Sequence, residues 1–229
     1  MLSGNTDAYQ PAERAFGLTR QCLEVLSELR HPVGLITKNS LVVRDLDLLT
    51  ALATDDLVHV CFSITTLDET VRRKLEPRTA SIAQRFRAVE TLSAAGIPVM
   101  VNIAPVIPGL TDHELIPIAR RSAEAGARKI GYSLVRLNDQ IGEIFTDWIG
   151  QAFPDRAERV LNRIRDTHGG KLEEKRFGKR HSGEGAIAQL IAQQYQVAKR
   201  RYFTGAEVWP AYNFGPFEER RRPPQLTLF

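Results

Sequence analysis

Cysteine is scarce in this sequence, and its scarcity excludes whole classes of protein. The 229 residues contain two cysteines, Cys22 and Cys61, too few for the disulfide framework of a small secreted domain. Cys22 falls on the apolar positions of a helical segment and Cys61 within an apolar run. We therefore expect both to be small core side chains. The five histidines show no metal-ligand spacing, so we predict no metal site built from this chain's own residues.

Long hydrophobic runs are also absent. No stretch of about 18 uninterrupted apolar residues occurs, which argues against a membrane-spanning helix. The first residues, MLSGNTD, have neither the basic nor the apolar region of a signal peptide, so we expect a cytoplasmic protein without a membrane partner. The formal net charge of +4 permits an anionic partner such as nucleic acid without requiring one.

What the sequence does contain is a regular alternation of strand and helix patterns. The strand patterns are almost continuously apolar, which is typical of parallel strands that are covered on both faces. Helical spacing of apolar residues fills the segments before and between them. The predicted strands are Val33–Thr37, Val58–Ile64, Val99–Ile107 and Lys129–Leu137, and the predicted helices are Ala12–Leu29, Asp45–Ala53 with Asp45 as its N-cap, Ser81–Ala95 and Asp112–Ala125.

This alternation predicts an α/β fold with right-handed crossovers, either a parallel (β/α) barrel or an open doubly wound sheet. No glycine-rich dinucleotide or phosphate-binding motif follows any predicted strand, which weakens the open-sheet alternative. Polar residues instead gather at the strand ends, at 37–39, 63–66 and 136–138, and Asn102 lies inside a strand. In a parallel barrel the carboxyl ends of the strands hold the ligand. We therefore predict a partial parallel (β/α) barrel.

The pattern changes after about residue 140. Asp147–Thr167 is predicted to be one helix, a basic glycine-containing loop follows at His168–Gly185, and Ala186–Arg201 is a further helix. The last segment is rich in proline, arginine and aromatic residues. We divide the chain into a partial barrel at 1–145, a basic helical appendage at 146–204 and an extended tail at 205–229.

Several segments together resemble one family. The runs SGNTDAYQPAER, PVGLITKNSLVVRDLDLL, VHVCFSITTLDETVRRKLEPRTAS and AGIPVMVNIAPVIPGLTDHE are similar to the radical S-adenosylmethionine (SAM) superfamily, in its spore photoproduct lyase-like branch. The resemblance implies a six-strand partial barrel that binds SAM and a 4Fe–4S cluster, a DNA repair or related lyase activity, and nucleic acid as a possible substrate. In that family the cluster is held by three cysteines in a C-x-x-x-C-x-x-C motif.

The resemblance also implies site residues. Thr6 belongs to the turn near the amino-acid end of the cofactor, and Lys38 matches a basic residue that pairs with the cofactor carboxylate. Ser63 matches a polar group near carboxylate or ribose, with Arg78 as a further candidate. Asn102–Ile107 matches the strand whose backbone runs beside the adenine, and Val135 belongs to the last strand, at Leu134–Arg136.

The sequence departs from the family in one large respect. It contains no C-x-x-x-C-x-x-C, and the family's first strand, first helix and most of its second strand have no counterpart. We therefore expect that this chain alone does not hold the cluster and does not initiate radical chemistry. We also expect an unpaired edge at Val33–Thr37 and apolar helix faces without cover, which favours aggregation or pairing.

The final residues, Gln225-Leu226-Thr227-Leu228-Phe229, resemble the short peptide by which bacterial DNA-processing proteins dock on the sliding clamp. Gln225, Leu226, Leu228 and Phe229 would make that contact. This leaves a second hypothesis open, a non-catalytic protein that binds DNA and the clamp. A third is a barrel lyase or aldolase, whose Schiff-base lysine would be Lys38 or Lys129.

Overall fold

The computed structural model describes residues 1–4, 6–173, 181–205 and 209–221. Its centre is one parallel sheet of four strands in the order β1-β2-β3-β4. The strands are β1 (Val33–Thr37), β2 (Val58–Ser63), β3 (Val99–Val106) and β4 (Lys129–Leu134). All four predicted strands are confirmed, each beginning at the predicted residue, and the last three end one to three residues early.

Helices connect the strands and continue after the last one. Two 3-10 helices, Ser40–Asp45 and Asp112–Glu114, precede α3 and α6. The α-helices are α1 (Glu13–Phe16), α2 (Leu18–Glu28), α3 (Leu46–Thr54), α4 (Glu69–Leu75), α5 (Ile82–Ala94), α6 (Leu115–Glu124), α7 (Gln140–Ala152), α8 (Pro154–Thr167), α9 (Gly185–Tyr202) and α10 (Gly215–Arg221).

The two faces of the sheet are buried to different degrees. Successive side chains of a strand point to opposite faces, and burial alternates along β1 and along most of β3. On the helix face, the buried side chains of Leu35, Val60, Val101 and Ile130 join the main hydrophobic core. We call the opposite side the inner face; its members Ile36, Cys61, Met100, Asn102 and Gly131 are half-buried. The strands are thus covered on both faces, as predicted, but less completely on the inner face of these two strands.

Two predicted helices are each divided in the structure. Ala12–Leu29 is interrupted at Gly17, whose φ of 60° is left-handed and separates α1 from α2. Asp147–Thr167 is divided between α7 and α8 at Phe153, because Pro154 takes the first position of α8. The expected boundary at residue 145 falls within α7.

Asp45 occupies the predicted N-cap position of α3, but its side chain does not cap the helix. Its side chain makes no capping hydrogen bond to α3. It is fully buried and forms ion pairs with Arg20 and Arg44, and Tyr9 donates a hydrogen bond to it at 3.1 Å. Asp45 thus ties the segment before α2 to the segment after β1.

The outer edge of β1 has one partner in the described chain, a parallel bridge between Leu2 and Leu35. Beside this edge, α2 exposes apolar side chains at positions i, i+4, i+7 and i+11. They are Leu18 (62% exposed), Cys22, Val25 (54%) and Leu29 (43%). The expectation of uncovered apolar helix faces is confirmed here, and the expectation that Cys22 is a core residue is wrong. We call these four residues the α2 stripe.

A segment near the carboxyl terminus, residues 209–220, crosses the amino-terminal end of the sheet, and we call it the strap. The ring of His59 in β2 stacks on Trp209 and Tyr212, with centroid distances of 4.4 and 4.0 Å. Lys129, at the start of β4, lies over the Trp209 ring. The strap therefore covers the inner face at the end opposite to the predicted site.

The helices after β4 pack onto the rest of the fold. α9 packs against α6 and α8, and Tyr195 of α9 donates a hydrogen bond to the carbonyl of Ile130 in β4. Among the described residues, no helix has the length and apolarity needed to cross a membrane.

Candidate functional site

Three of the predicted site residues meet at the carboxyl ends of the strands. Lys38 follows β1 directly, Ser63 is the last residue of β2, and Asn102 pairs with Ser63 in the register of β2 and β3. Ser63 and Asn102 lie on the inner face, because register partners of parallel strands point to the same side. The structure therefore brings Lys38, Ser63 and Asn102 to one edge of the sheet.

Asn102 has space on the inner face because its neighbour in β4 is Gly131. A Cβ atom at Gly131 would lie 2.5 Å from the Met100 Cε and 3.2 Å from the Asn102 Oδ1. No described residue donates to or accepts from the Asn102 side-chain amide. This half-buried amide is thus available to a ligand, since such a group needs partners when its water is displaced.

Asp7 joins the amino-terminal turn to the end of β1. Its carboxylate accepts hydrogen bonds from the Thr37 hydroxyl at 2.8 Å and from the Lys38 backbone N–H at 2.8 Å. The preceding residue, Thr6, lines a groove of about 230 Å³ together with Leu18 and Cys22 of the α2 stripe. Thr6 therefore precedes the residue that binds the Lys38 segment, while its groove opens beside α2.

The Lys38 ammonium forms an ion pair with Glu76. Glu76 was not predicted from the sequence, although it belongs to the same EPR tripeptide as Arg78. Glu76 also accepts from the Thr65 hydroxyl at 2.7 Å and from the Arg85 Nη2 at 2.8 Å. Lys38 keeps 28% of its side chain exposed, whereas Arg85 is 1% exposed.

Opposing effects act on the pKa of Glu76. Burial alone would raise it, but the positive charges of Lys38 and Arg85, with their hydrogen bonds, hold the pKa below its ordinary value. Glu76 is therefore ionised at neutral pH, and two cations surround one carboxylate. Such a buried charge is stable only because its partners are in place.

Two other predicted residues lie near this edge in different surroundings. Arg78 is exposed in the loop between α4 and α5. Val135 is buried in a second hydrophobic cluster with Ile107 and Leu137, and its backbone N–H donates to the Val106 carbonyl at 2.9 Å. Their contacts to a cofactor stay predictions.

The remaining predicted contacts lie either outside the described residues or at the opposite end of the sheet. Gln225, Leu226, Leu228 and Phe229 lie outside the described residues, as does the basic segment 174–180, so clamp docking stays a prediction. Lys129, a candidate Schiff-base lysine, is exposed at the amino-terminal end of β4 over Trp209. It is therefore remote from the strand ends that carry Lys38 and Ser63.

The fold is thus a four-strand parallel β/α sheet with polar groups at its carboxyl edge, the edge at which β/α barrels carry their ligands. The profile of the Radical SAM superfamily matches residues 1–122. An uncharacterized protein of Mycobacterium tuberculosis (strain H37Rv) is 31% identical over 160 residues, covering 69% of this chain and 47% of that protein. An uncharacterized protein of Methanocaldococcus jannaschii is 30% identical over 162 residues, covering 71% and 59%. The chain belongs to the radical SAM superfamily.

The fold is also similar to solved structures of spore photoproduct lyase. A mutant with bound AdoMet and dinucleoside spore photoproduct matches with a TM-score of 0.60 and 18% identity, covering 91% of this chain and 60% of that one. Spore photoproduct lyase complexed with dinucleoside spore photoproduct matches at 0.59 and 17%, covering 82% and 55%. The chain thus spans about half the length of the curated relatives it matches.

The two cofactors that the family implies fit this chain unequally. For SAM, the partly exposed Lys38 ammonium and the unpartnered Asn102 amide are suitable for a carboxylate and for polar nucleoside atoms. For the cluster, the residues do not fit. Cys22 lies on α2 and Cys61 in β2, and burial raises the pKa of Cys61 to about 11. No group of three His, Cys, Asp or Glu side chains in the described ranges is arranged to bind a metal ion.

Proposed function

We propose that this chain supplies the SAM-binding part of a radical SAM enzyme of the spore photoproduct lyase-like branch, and that the enzyme acts on nucleic acid. The observation that carries the proposal is the meeting of Lys38, Ser63 and Asn102 at one strand edge in a chain of this superfamily. Because the chain does not supply three cysteines, the cluster ligands have to come from residues outside it.

Each residue has one task in this proposal. Lys38 neutralises the carboxylate of the cofactor's amino-acid end, Ser63 offers a hydroxyl beside it, and Asn102 hydrogen-bonds the nucleoside. Thr6 and Arg78 complete the amino-acid and ribose ends, and Val135 belongs to the last strand of the cofactor site. When bound, SAM is the source of the radical, so the protein's part is to bind and orient the cofactor.

Nucleic acid as the substrate rests on two supports. Related structures carry a dinucleoside spore photoproduct, and this chain is basic overall, with Lys199, Arg200 and Arg201 exposed at the end of α9. Cationic side chains that contact phosphates release counterions, so affinity should fall with salt. Anisotropy of a fluorescein-labelled single-stranded oligonucleotide at two salt concentrations tests this, and no binding at low salt would contradict it.

Cofactor binding is tested by calorimetric titration with two stable ligands. S-adenosylhomocysteine carries the amino-acid carboxylate, and 5′-methylthioadenosine lacks it. We expect Lys38→Met to weaken S-adenosylhomocysteine binding about tenfold or more, the range for a charged hydrogen bond, and to leave methylthioadenosine unchanged. Lys171→Met, which removes an exposed lysine elsewhere, is the matched control. A wild-type chain that binds neither ligand would overturn the proposed function.

A further inference from the structure

Glu76 connects two cations that come from different βα units. Lys38 follows β1 and Arg85 lies in α5, yet both bind the same carboxylate, Lys38 at Oε1 and Arg85 at Oε2. The Thr65 hydroxyl, two residues after β2, also donates to Oε1. The ion pair therefore joins the ends of the first two strands at the proposed cofactor edge.

Arg85 gives this arrangement a fixed anchor. Its Nη1 donates to the Ser63 carbonyl at 3.0 Å, its Nε donates to the Ala80 carbonyl at 3.0 Å, and its Nη2 also donates to Thr79. A guanidinium that is 1% exposed and bonded in several directions has little freedom to move. The Glu76 carboxylate is consequently held in place from the buried side.

Lys38 is the partly exposed member of the group. A lysine side chain carries about 2 kcal/mol of rotamer entropy, and this one is partly open to solvent. Among the described residues, the acceptor of a hydrogen bond from the Lys38 ammonium is Glu76. Two of the three N–H donors of the ammonium are therefore left for a ligand. The nearby Asp7 carboxylate is engaged by the N–H groups of Tyr9 and Lys38 and by Thr37.

We propose that Glu76, fixed by Arg85, is a positioning residue that holds the Lys38 ammonium where it meets the amino-acid carboxylate of a bound S-adenosyl ligand. The inference rests on the proposed function. Because the ordering of Lys38 is complete before the ligand arrives, binding avoids part of the entropy cost of immobilising that side chain. Glu76 itself touches no ligand and acts through Lys38.

The measured quantity is the affinity ratio of S-adenosylhomocysteine to 5′-methylthioadenosine. Glu76→Gln should reduce this ratio about tenfold, since a charged hydrogen bond is lost, without changing methylthioadenosine affinity beyond its effect on folding. Glu76→Asp keeps the negative charge but places the carboxylate one methylene further from Lys38 and Arg85. We expect it to give an intermediate ratio. Partial unfolding lowers both affinities by the same factor, so the ratio stays informative.

Glu69→Gln is the matched control. Glu69 pairs with Arg72 within α4 and accepts from the Ile82 N–H of α5, so its loss also breaks an ion pair and a hydrogen bond between α4 and α5 without touching Lys38. Its ratio should equal that of the wild type.

Two failures are distinguishable. If the wild type binds neither ligand, the proposed function fails. If Lys38→Met lowers the affinity ratio while Glu76→Gln and Glu76→Asp keep or increase it, the proposed function stands and the inference is wrong. Glu76 would then compete with the ligand for the Lys38 ammonium.

Discussion

The Oδ1 atom of Asn102 lies 3.2 Å from the position that a Cβ atom would take at Gly131. The missing side chain at Gly131 is thus what lets Asn102 and Met100 occupy the inner face of the sheet. A residue with no side chain here creates space, and this space adjoins the proposed cofactor edge.

Replacing Gly131 by alanine should therefore weaken ligand binding. The added methyl group would lie 2.5 Å from the Met100 Cε, the flexible end of that side chain, and 3.2 Å from the Asn102 Oδ1, so both side chains have to shift on the inner face. We expect calorimetry to show reduced affinity for both S-adenosylhomocysteine and 5′-methylthioadenosine. Gly150→Ala is the control, because nothing lies within 4 Å of its Cβ position in α7. Equal affinities in both variants would contradict the prediction.

The ionisation of Glu76 should make its contribution to stability depend on pH. The folded-state pKa lies below the ordinary value of 4.5, so the contribution is full above about pH 4.5 and is lost as the pH falls through the folded-state pKa. At pH 7, Glu76→Gln should cost about 3 kcal/mol, because Arg85 stays buried with an incomplete set of partners.

Urea unfolding of the wild type and Glu76→Gln at a series of pH values measures this effect. The difference in their free energies of unfolding should shrink as the pH is lowered. A difference that is the same at pH 7 and in acid would show that the charge of Glu76 does not stabilise the fold.

The contact between His59 and the strap should weaken in mild acid. Burial lowers the pKa of His59, and the positive charge of nearby Lys129 lowers it further. A hydrogen bond to the Pro210 carbonyl and the negative charge of Asp56 raise this pKa, but the net shift is downward. The neutral ring is therefore favoured in the folded state. Stability from this source is full above the ordinary value of 6.5 and falls as the pH drops below it.

Trp209 reports on this contact. In a Trp148→Phe background, its fluorescence should change as the pH falls below about 6.5, and the change should be absent in His59→Phe, which keeps the ring stacking. A pH response that persists in His59→Phe would assign the titration to another group.

The α2 stripe should cause self-association. Its four apolar side chains form one exposed helix face beside a strand edge that has a single bridge, and such surfaces promote pairing. Sedimentation velocity should show concentration-dependent association that Leu18→Gln with Val25→Gln reduces. Leu190→Gln with Val197→Gln in α9 is the control, since these residues are 54% and 45% exposed at the same seven-residue spacing. A wild-type chain that stays monomeric would refute the prediction.

Cluster reconstitution should fail for this chain alone. Anaerobic incubation with iron and sulfide should give no more 4Fe–4S absorbance than the Cys22→Ala, Cys61→Ala double variant gives, because two separated cysteines do not provide three ligands. Absorbance in the wild type that exceeds the double variant would show that Cys22 or Cys61 binds iron.

Strands were more predictable from the sequence than the short helices. Continuous apolar runs located all four strands, because burial against helices requires such residues. α4 was missed, since ETVRRKL contains few apolar residues, although Asp68 caps it through the N–H groups of Thr70 and Val71. Gly17 separates α1 from α2, whereas the apolar spacing alone predicted one continuous helix over Ala12–Leu29.

Lys38 and Ser63 were located from the sequence because they stand at the ends of predicted strands, and Asn102 because it is a polar residue inside an apolar strand. The structure places Lys38 directly after β1 and pairs Ser63 with Asn102, while their contacts to a cofactor stay predictions. Glu76 was not identified, because its partner Lys38 is 38 positions away and only the packing of two βα units joins them. Arg85 was not identified either, because its burial depends on tertiary contacts and not on the local sequence pattern.

The alternating burial along β3 determines which of its positions tolerate substitution. Val99, Val101 and Ile103 are sealed in the core, while Met100 and Asn102 are half-buried on the other side. Neighbouring residues of this part of β3 thus serve different purposes: the buried set maintains the scaffold, and the interleaved set faces the proposed cofactor edge. Under the proposed function, ligand specificity can change at Met100 and Asn102 while the scaffold stays intact.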